Sequence, residues 1–198
     1  MIKSMNVTDL NKLYGSLDIY LLDAIMKGYF EEKNSVLDVG CGEGRNLVYF
    51  LQSDYEVHGI DKNESCIRLC NMMAKSYRTN FDKLNFQCSD ATTLPYADDY
   101  FDIVLSSAVM HFARDEAEFL SMMSELIRVL KRHGIAFIRM ASTIGSDKII
   151  LENGFSFLLT RDLIEHCLKK FHLEKLEPVK SVNVEDKRVM TTLLLKKK

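Results

Sequence analysis

Two rhythms of apolar residues alternate along this chain. Short runs rich in β-branched and aliphatic residues occur at 35–39, 56–60, 84–88, 101–106 and 135–139 and read as strands. Between them, apolar residues recur at helical spacing. Ile19, Leu22, Ile25, Met26 and Tyr29 mark a helix over 18–30, and further helices are predicted over 46–52, 64–77, 115–130 and 160–170. Asp115 and Glu116 suit a helix N-terminus, and Thr160 is a candidate N-cap. His133-Gly134 reads as the turn into the fifth strand, and Asn153-Gly154, flanked by Ile149-Ile150-Leu151 and Phe155-Ser156-Phe157, as a hairpin. Runs at 173–184 and 188–195, joined only by Glu185-Asp186-Lys187, must be antiparallel to each other. The β-α-β alternation that ends in this pair predicts an α/β fold, a doubly wound and mostly parallel sheet covered by helices on both faces.

Bulk properties narrow the picture. At 198 residues the chain suffices for one domain, 1–198, with a helical lid segment over 1–34 and a core over 35–198. A net charge of −2 gives no field favouring nucleic acid or an anionic membrane. There is no apolar run of transmembrane length and no secretory signal pattern at the N-terminus. Five cysteines without a framework spacing suit reduced thiols in a cytoplasmic protein. Cys66 and Cys70 are one helical turn apart, yet nothing nearby completes a zinc set, so no metal is expected.

The densest chemical signal is Val36-Leu37-Asp38-Val39-Gly40-Cys41-Gly42-Glu43-Gly44-Arg45-Asn46. A buried strand runs into a three-glycine turn and a helix start, where a ligand can approach the backbone closely. Asp38 discriminates between ligands. A pyrophosphate on a helix N-terminus wants positive potential, which a carboxylate at the strand end opposes. The same carboxylate suits a cofactor that brings an ammonium, as S-adenosylmethionine does with its methionine end. The glycine spacing also departs from the G-x-G-x-x-G of dinucleotide sites.

Ligands of open parallel sheets sit beyond the carboxyl ends of the strands. Asp61 ends strand two, 21 residues after Gly40, at the usual place of a ribose-diol acceptor; it is equally suited to cap the next helix. Asp90 follows strand three, where it can accept from an adenine amino group or merely close an Asx-turn. Ser106 ends strand four, where its carbonyl can meet the methionine ammonium.

With these segments in hand, the chain from about Val36 to Leu195 resembles class I S-adenosylmethionine-dependent methyltransferases. The matching stretches are the glycine turn, Gly59-Ile60-Asp61, Ser89-Asp90-Ala91 with Leu94-Pro95-Tyr96, and the segment from Phe101 to Phe112. Where the family usually carries Lys-Pro-Gly-Gly, this chain has Arg132-His133-Gly134. Leu94-Pro95-Tyr96 and Val109-Met110-His111-Phe112 look like the ubiquinone/menaquinone-type small-molecule branch, and Arg45-Asn46 after the glycines like the tellurite/thiopurine group. The resemblance implies a Rossmann-like sheet of seven strands in the order 3-2-1-4-5-7-6, strand seven antiparallel. It implies S-adenosylmethionine contacts from Asp38, Gly40, Cys41, Gly42, Gly44 and Asn46, from Asp61 and Lys62, from Asp90 and Ala91, and from Ser106, with S-adenosylhomocysteine as product.

Methyl transfer from a sulfonium is an in-line displacement, so the protein must chiefly align the acceptor and exclude water. His111 is the best candidate for a general base, with a hydrogen-bonded structural histidine as its alternative. Arg45 can meet an anionic substrate or form a surface ion pair. Tyr14 and Tyr20 can close over substrate or simply pack on the sheet. The absence of an Asn/Asp-Pro-Pro-Tyr/Phe motif after strand four argues against nucleic-acid bases as acceptors. The expectation is a methyltransferase acting on a small molecule, with a homodimer as the default assembly. The alternative is a non-catalytic S-adenosylmethionine-binding regulatory or partner subunit.

Overall fold

A computed structural model describes residues 6–145, 154–185 and 187–198. In chain order its elements are α1 (Val7–Tyr14), α2 (Ile19–Met26), β1 (Ser35–Val39), α3 (Val48–Gln52), β2 (Glu56–Asp61), α4 (Glu64–Tyr77) and β3 (Phe86–Cys88). These are followed by β4 (Phe101–Ser107), α5 (Glu116–Val129), β5 (Leu130–Ser142), α6 (Arg161–Lys170), β6 (Leu173–Lys175), β7 (Lys180–Val184) and β8 (Arg188–Lys197). The sheet order is β3-β2-β1-β4-β5-β8-β6, with β7 also paired to β8. β3, β2, β1, β4 and β5 are parallel, and β8 is antiparallel to β5. This is the Rossmann-like order expected, with β8 in the place of strand seven.

The count differs because the run at 173–184 is not one strand. Its pairing with β8 steps from Lys175↔Leu195 to Lys180↔Thr192, five residues against three. Pro178 lies in this interval and has no N–H for the ladder, so the strand bulges and resumes as β7. β5 also departs from expectation. It leaves α5 directly at Leu130, and the expected turn at His133-Gly134 is a bulge between Phe101↔Leu130 and Ile103↔Ile135, with His133 at φ 63°.

The helix expected over 18–30 stops at Met26, since Gly28 takes a left-handed conformation just past the cap. The helix expected from Asn46 opens as a 3-10 turn, Arg45–Leu47, before α3. α1 falls within the helical segment expected over 1–34, although no separate helix was assigned there. Its signal is the reciprocal capping box of Asn6 and Asp9. Of the Asn153-Gly154 hairpin, Ile149-Ile150-Leu151 and Asn153 lie outside the described residues. Phe155-Ser156-Phe157 is not a strand; the Ser156 and Phe157 amides donate to the His111 carbonyl at 3.0 and 3.1 Å. Thr160 does cap α6, its Oγ1 accepting from Leu163 N at 3.2 Å.

Strand periodicity divides the core. Leu37, Val39, Val104, Ala136, Ile138, Leu193 and Leu195 face α5 and α6. Val36, Ile103, Leu105, Ile135, Phe137 and Leu194 face α2, α3 and α4. Burying one such Leu, Ile or Phe contributes about 1.5–3 kcal/mol. Among the described residues no helix is long and apolar enough to cross a membrane.

Candidate active site

The glycine turn is fastened to the end of β2. Gly40 N and Cys41 N both donate to the Ile60 carbonyl, at 2.8 and 2.9 Å, and Gly42 N donates to Asp61 Oδ2 at 3.0 Å. The glycines have different reasons to lack a side chain. A Cβ at Gly40 would lie 2.2 Å from Val109 Cγ2, and one at Gly44 would lie 2.2 Å from Met73 Cε. A Cβ at Gly42 would meet no protein atom within 4 Å. The first and last are packed against; the middle one borders open space.

Asp38 lies on the α3/α4 side beneath this turn, only 1% exposed, and neither carboxylate oxygen has a hydrogen-bond partner among the described residues. Burial pushes its pKa up to about 7, against the pull of Arg45 and with a smaller push from Asp61. A buried carboxylate without a partner is costly, and a cationic group placed beside it would remove that cost. Asp61 is already engaged, accepting from Gly42 N and from Asn63 N at 2.8 Å. Asp90 Oδ1 accepts from Thr92 Oγ1 at 2.7 Å and Thr92 N at 2.8 Å, and these bonds lower its pKa. It is thus an Asx-turn, with Oδ2 still able to accept. The Ser106 hydroxyl is buried without a partner among the described residues.

A cavity of about 240 Å³ opens beyond these strand ends. Gly40, Asp61, Lys62, Asp90 and Ala91, all singled out from the sequence, line it. So do residues to which the sequence reading gave no individual role: Ser89 and Thr92 beside Asp90, Ala108, Val109, Phe112 and Ala113 after β4, and Glu118 and Met122 one turn apart on α5. The signal for the last pair was the i, i+4 spacing near a well-capped helix start. Ala108 turns the chain into the cavity at φ 63°, an uncommon conformation for a residue with a Cβ.

The remaining candidates lie outside the lining. The Cys41 thiol is buried and is pushed up mainly by its hydrogen bond with Cys70. Asn46 is buried, its Oδ1 accepting from Asp18 N at 3.1 Å. Arg45 Nη1 donates to the Ser16 carbonyl at 3.2 Å. Tyr14 OH donates to Gln52 Oε1 at 3.4 Å, and the Tyr20 ring lies under the Arg139 guanidinium at 5.3 Å. His111 is buried, and its Nδ1 accepts from Ala141 N at 3.2 Å. That bond puts the proton of the neutral ring on Nε2, and burial pushes the pKa down to about 4, with Arg188 adding to the effect. The Phe155 ring packs against His111 with the ring centroids 4.0 Å apart.

A family model described as a methyltransferase domain matches residues 37–138, a little over half of the chain. The methyltransferase GfsG of Streptomyces halstedii is 28% identical over 134 residues, 67% of this chain and 48% of that protein. Phthiotriol/phenolphthiotriol dimycocerosates methyltransferase 1 of Mycobacterium ulcerans is 34% identical over 101 residues, 50% of this chain and 34% of that protein. The chain thus spans about half or less of the length of these curated relatives.

Solved structures share the fold. TehB from Haemophilus influenzae superposes with a TM-score of 0.73 at 22% identity, over 96% of this chain and 66% of that one. The 1,6-didemethyltoxoflavin-N1-methyltransferase of Burkholderia thailandensis gives 0.72 at 16% identity, over 96% and 81%; that structure holds S-adenosylhomocysteine. The [4+2]-cyclase SpnF gives 0.74 at 17% identity, over 90% and 80%.

Proposed function

The chain belongs to the methyltransferase domain family, and from that premise we propose that it transfers the methyl group of S-adenosylmethionine to a small-molecule acceptor, releasing S-adenosylhomocysteine. The observation that carries the choice of cofactor is Asp38, a buried carboxylate with no partner among the described residues at the end of β1, four residues before Gly42, which borders open space. A dinucleotide would bring its pyrophosphate to this carboxylate and be repelled. When bound, S-adenosylmethionine supplies a methyl already activated on a sulfonium, which leaves the protein to bind, orient and exclude water.

The residues divide that work by position. Asp38 takes the ammonium of the methionine end. Asp61, already fixed by two backbone amides, offers its remaining lone pairs to the ribose hydroxyls. Asp90 holds the adenine amino group with Oδ2 while Thr92 fixes Oδ1. Ile60, Ala91 and Met122 give the base apolar walls. Enzymatic rather than purely regulatory binding is supported by the relatives, which are named for methyl transfer. His111 braces the segment after β4 in this reading, and the acceptor is a nucleophile that needs no imidazole base.

Calorimetric titration with S-adenosylmethionine, S-adenosylhomocysteine and NAD tests the reading. Micromolar binding of the two sulfur nucleotides and none of NAD is the expected result. Binding of NAD alone, or of none, overturns the assignment of the cofactor.

A further inference from the structure

Around the Asp90 loop, the hydroxyls that line the cavity are already spent. Ser89 Oγ donates to the Thr93 carbonyl at 3.0 Å, and Thr92 Oγ1 to Asp90 Oδ1 at 2.7 Å. What these side chains leave to a ligand is the acceptor Asp90 Oδ2. A second carboxylate, Glu118, lines the same cavity from α5.

Glu118 is held firmly at the start of that helix. Its amide donates to the N-cap, Asp115 Oδ1, at 2.9 Å. Its side chain, 21% exposed, turns back so that Oε2 accepts from Arg114 N at 2.6 Å and Arg114 Nε at 3.0 Å. The carboxylate therefore sits beside the Ala113–Arg114 peptide, and Ala113 lines the cavity too. The Arg114 side chain is 82% exposed and grips Glu118 from the solvent side. Only Oε2 is engaged among the described residues, which leaves Oε1 to accept.

Arg114 also brings the two carboxylates into one neighbourhood. Hydrogen bonds from Thr92 hold the Asp90 carboxyl below its ordinary range, and the charges of Lys62 and Arg114 add to this. Hydrogen bonds from Arg114 do the same for Glu118. Both are ionised near neutrality and only accept. Two such acceptors next to the apolar walls of Ile60, Ala91 and Met122 suit a flat ring carrying two hydrogens on one atom, which an amino group supplies. One carboxylate alone discriminates poorly. A deaminated purine carries a carbonyl beside a protonated ring nitrogen, and by sliding it can still donate to a single carboxylate. With a second carboxylate present, the carbonyl meets negative charge in either position.

We propose that Glu118, positioned by Arg114, is a second acceptor for the adenine amino group alongside Asp90, so that the protein reads both amino hydrogens of its cofactor. This rests on the reading of the chain as an S-adenosylmethionine-dependent methyltransferase, and adds to it the residue that sets cofactor specificity.

The test is calorimetry on the full chain, first with S-adenosylhomocysteine. Failure to bind it sinks the cofactor reading and is distinct from failure of the role of Glu118. Two analogues follow: S-inosylhomocysteine, in which a carbonyl replaces the amino group, and S-adenosylhomocysteine methylated on the amino nitrogen, which keeps one hydrogen. Wild type is expected to bind the first at least about a hundredfold and the second at least about tenfold more weakly than the parent compound. Glu118→Gln keeps the shape and can turn an amide N–H toward the carbonyl, so it should shrink the first ratio by at least about tenfold while weakening the parent by about threefold to tenfold. Glu118→Ala opens space beside the amino group and should bring the second ratio to within about threefold. Arg114→Ala leaves Glu118 unaimed, and its second ratio should fall between those of wild type and Glu118→Ala. A wild type that binds the methylated analogue as well as the parent, or ratios unchanged in the two Glu118 variants, overturns the proposal. An Arg114→Ala ratio equal to that of wild type overturns the positioning role.

Discussion

At the scale of single residues, Asp38 gives the sharpest test. Its pKa is raised to about 7, above the ordinary carboxylate range, so the folded protein holds this proton where the unfolded chain has lost it. Its contribution to stability is fully present below the ordinary carboxylate range and is lost as pH rises through about 7. A cofactor ammonium demands the opposite, the ionised form. Affinity for S-adenosylhomocysteine should therefore weaken as pH falls below 7, by up to about tenfold per unit, while the empty protein gains stability. Calorimetry between about pH 5.5 and about pH 8 checks this, and Asp38→Asn should bind weakly with a flat profile. A wild-type affinity that ignores pH would remove Asp38 from the ammonium site. The glycines separate packing from binding. Gly40→Ala drives a methyl into Val109 and should cost about 2–4 kcal/mol in urea unfolding. Gly42→Ala meets no protein atom and should cost only about 1–2 kcal/mol, from its positive φ, yet weaken S-adenosylhomocysteine at least about tenfold. Equal stability losses with unchanged binding would mean that no ligand occupies that space.

At the scale of elements, the sequence was most readable where one face pattern governs. The five parallel strands and the α4, α5 and α6 helices follow from periodicity and caps, because each has a buried stripe of its own. Legibility failed where the chain departs from a period for tertiary reasons. The bulge around Pro178 and the early entry into β5 at Leu130 are set by partners distant in sequence, which no local pattern carries. Asp38, the glycines, Asp61 and Asp90 were readable because they sit at strand ends. Ala108, Val109 and Met122 received no individual role, since an apolar wall residue looks like any core residue. The link between α5 and the Asp90 loop was likewise hidden. Arg128 donates to the Leu94 and Tyr96 carbonyls at 3.0 and 2.8 Å and to Glu125 and Asp98. Glu125 in turn accepts from Leu94 N at 2.7 Å. Arg128→Ala should lower stability by about 2–4 kcal/mol and loosen the loop that carries Asp90 and Ala91. Weaker S-adenosylhomocysteine binding at preserved secondary structure checks the coupling; unchanged binding would show that the loop holds its shape without α5.

At the scale of the molecule, the N-terminal segment is joined to the sheet by two kinds of fastening that respond differently to salt. Outside, Lys27 bridges Asp23 and Glu177 at 2.8 and 2.7 Å, and Lys180 bridges the same two residues, tying α2 to the bulge between β6 and β7. These charges are partly exposed and are screened as ionic strength rises. Inside, Asp18 is buried against Ser107, Arg139 and Asn46, where salt has little reach. In the wild type the inner fastening should therefore keep α1 and α2 in place even at about 0.5 M salt. Asp18→Asn leaves Arg139 without its counter-charge and should cost about 3–5 kcal/mol. In that variant only the outer network remains, so hydrogen exchange over residues 7–26 should rise with added salt, whereas in wild type it should stay flat. The backbone N–H of residue 18 that donates to Asn46 Oδ1 is kept in this variant, so S-adenosylhomocysteine affinity should follow the loosening of the segment rather than the loss of that bond. Exchange that is salt-independent in both proteins would show that apolar contacts of Leu17, Leu21 and Ala24 alone hold the segment.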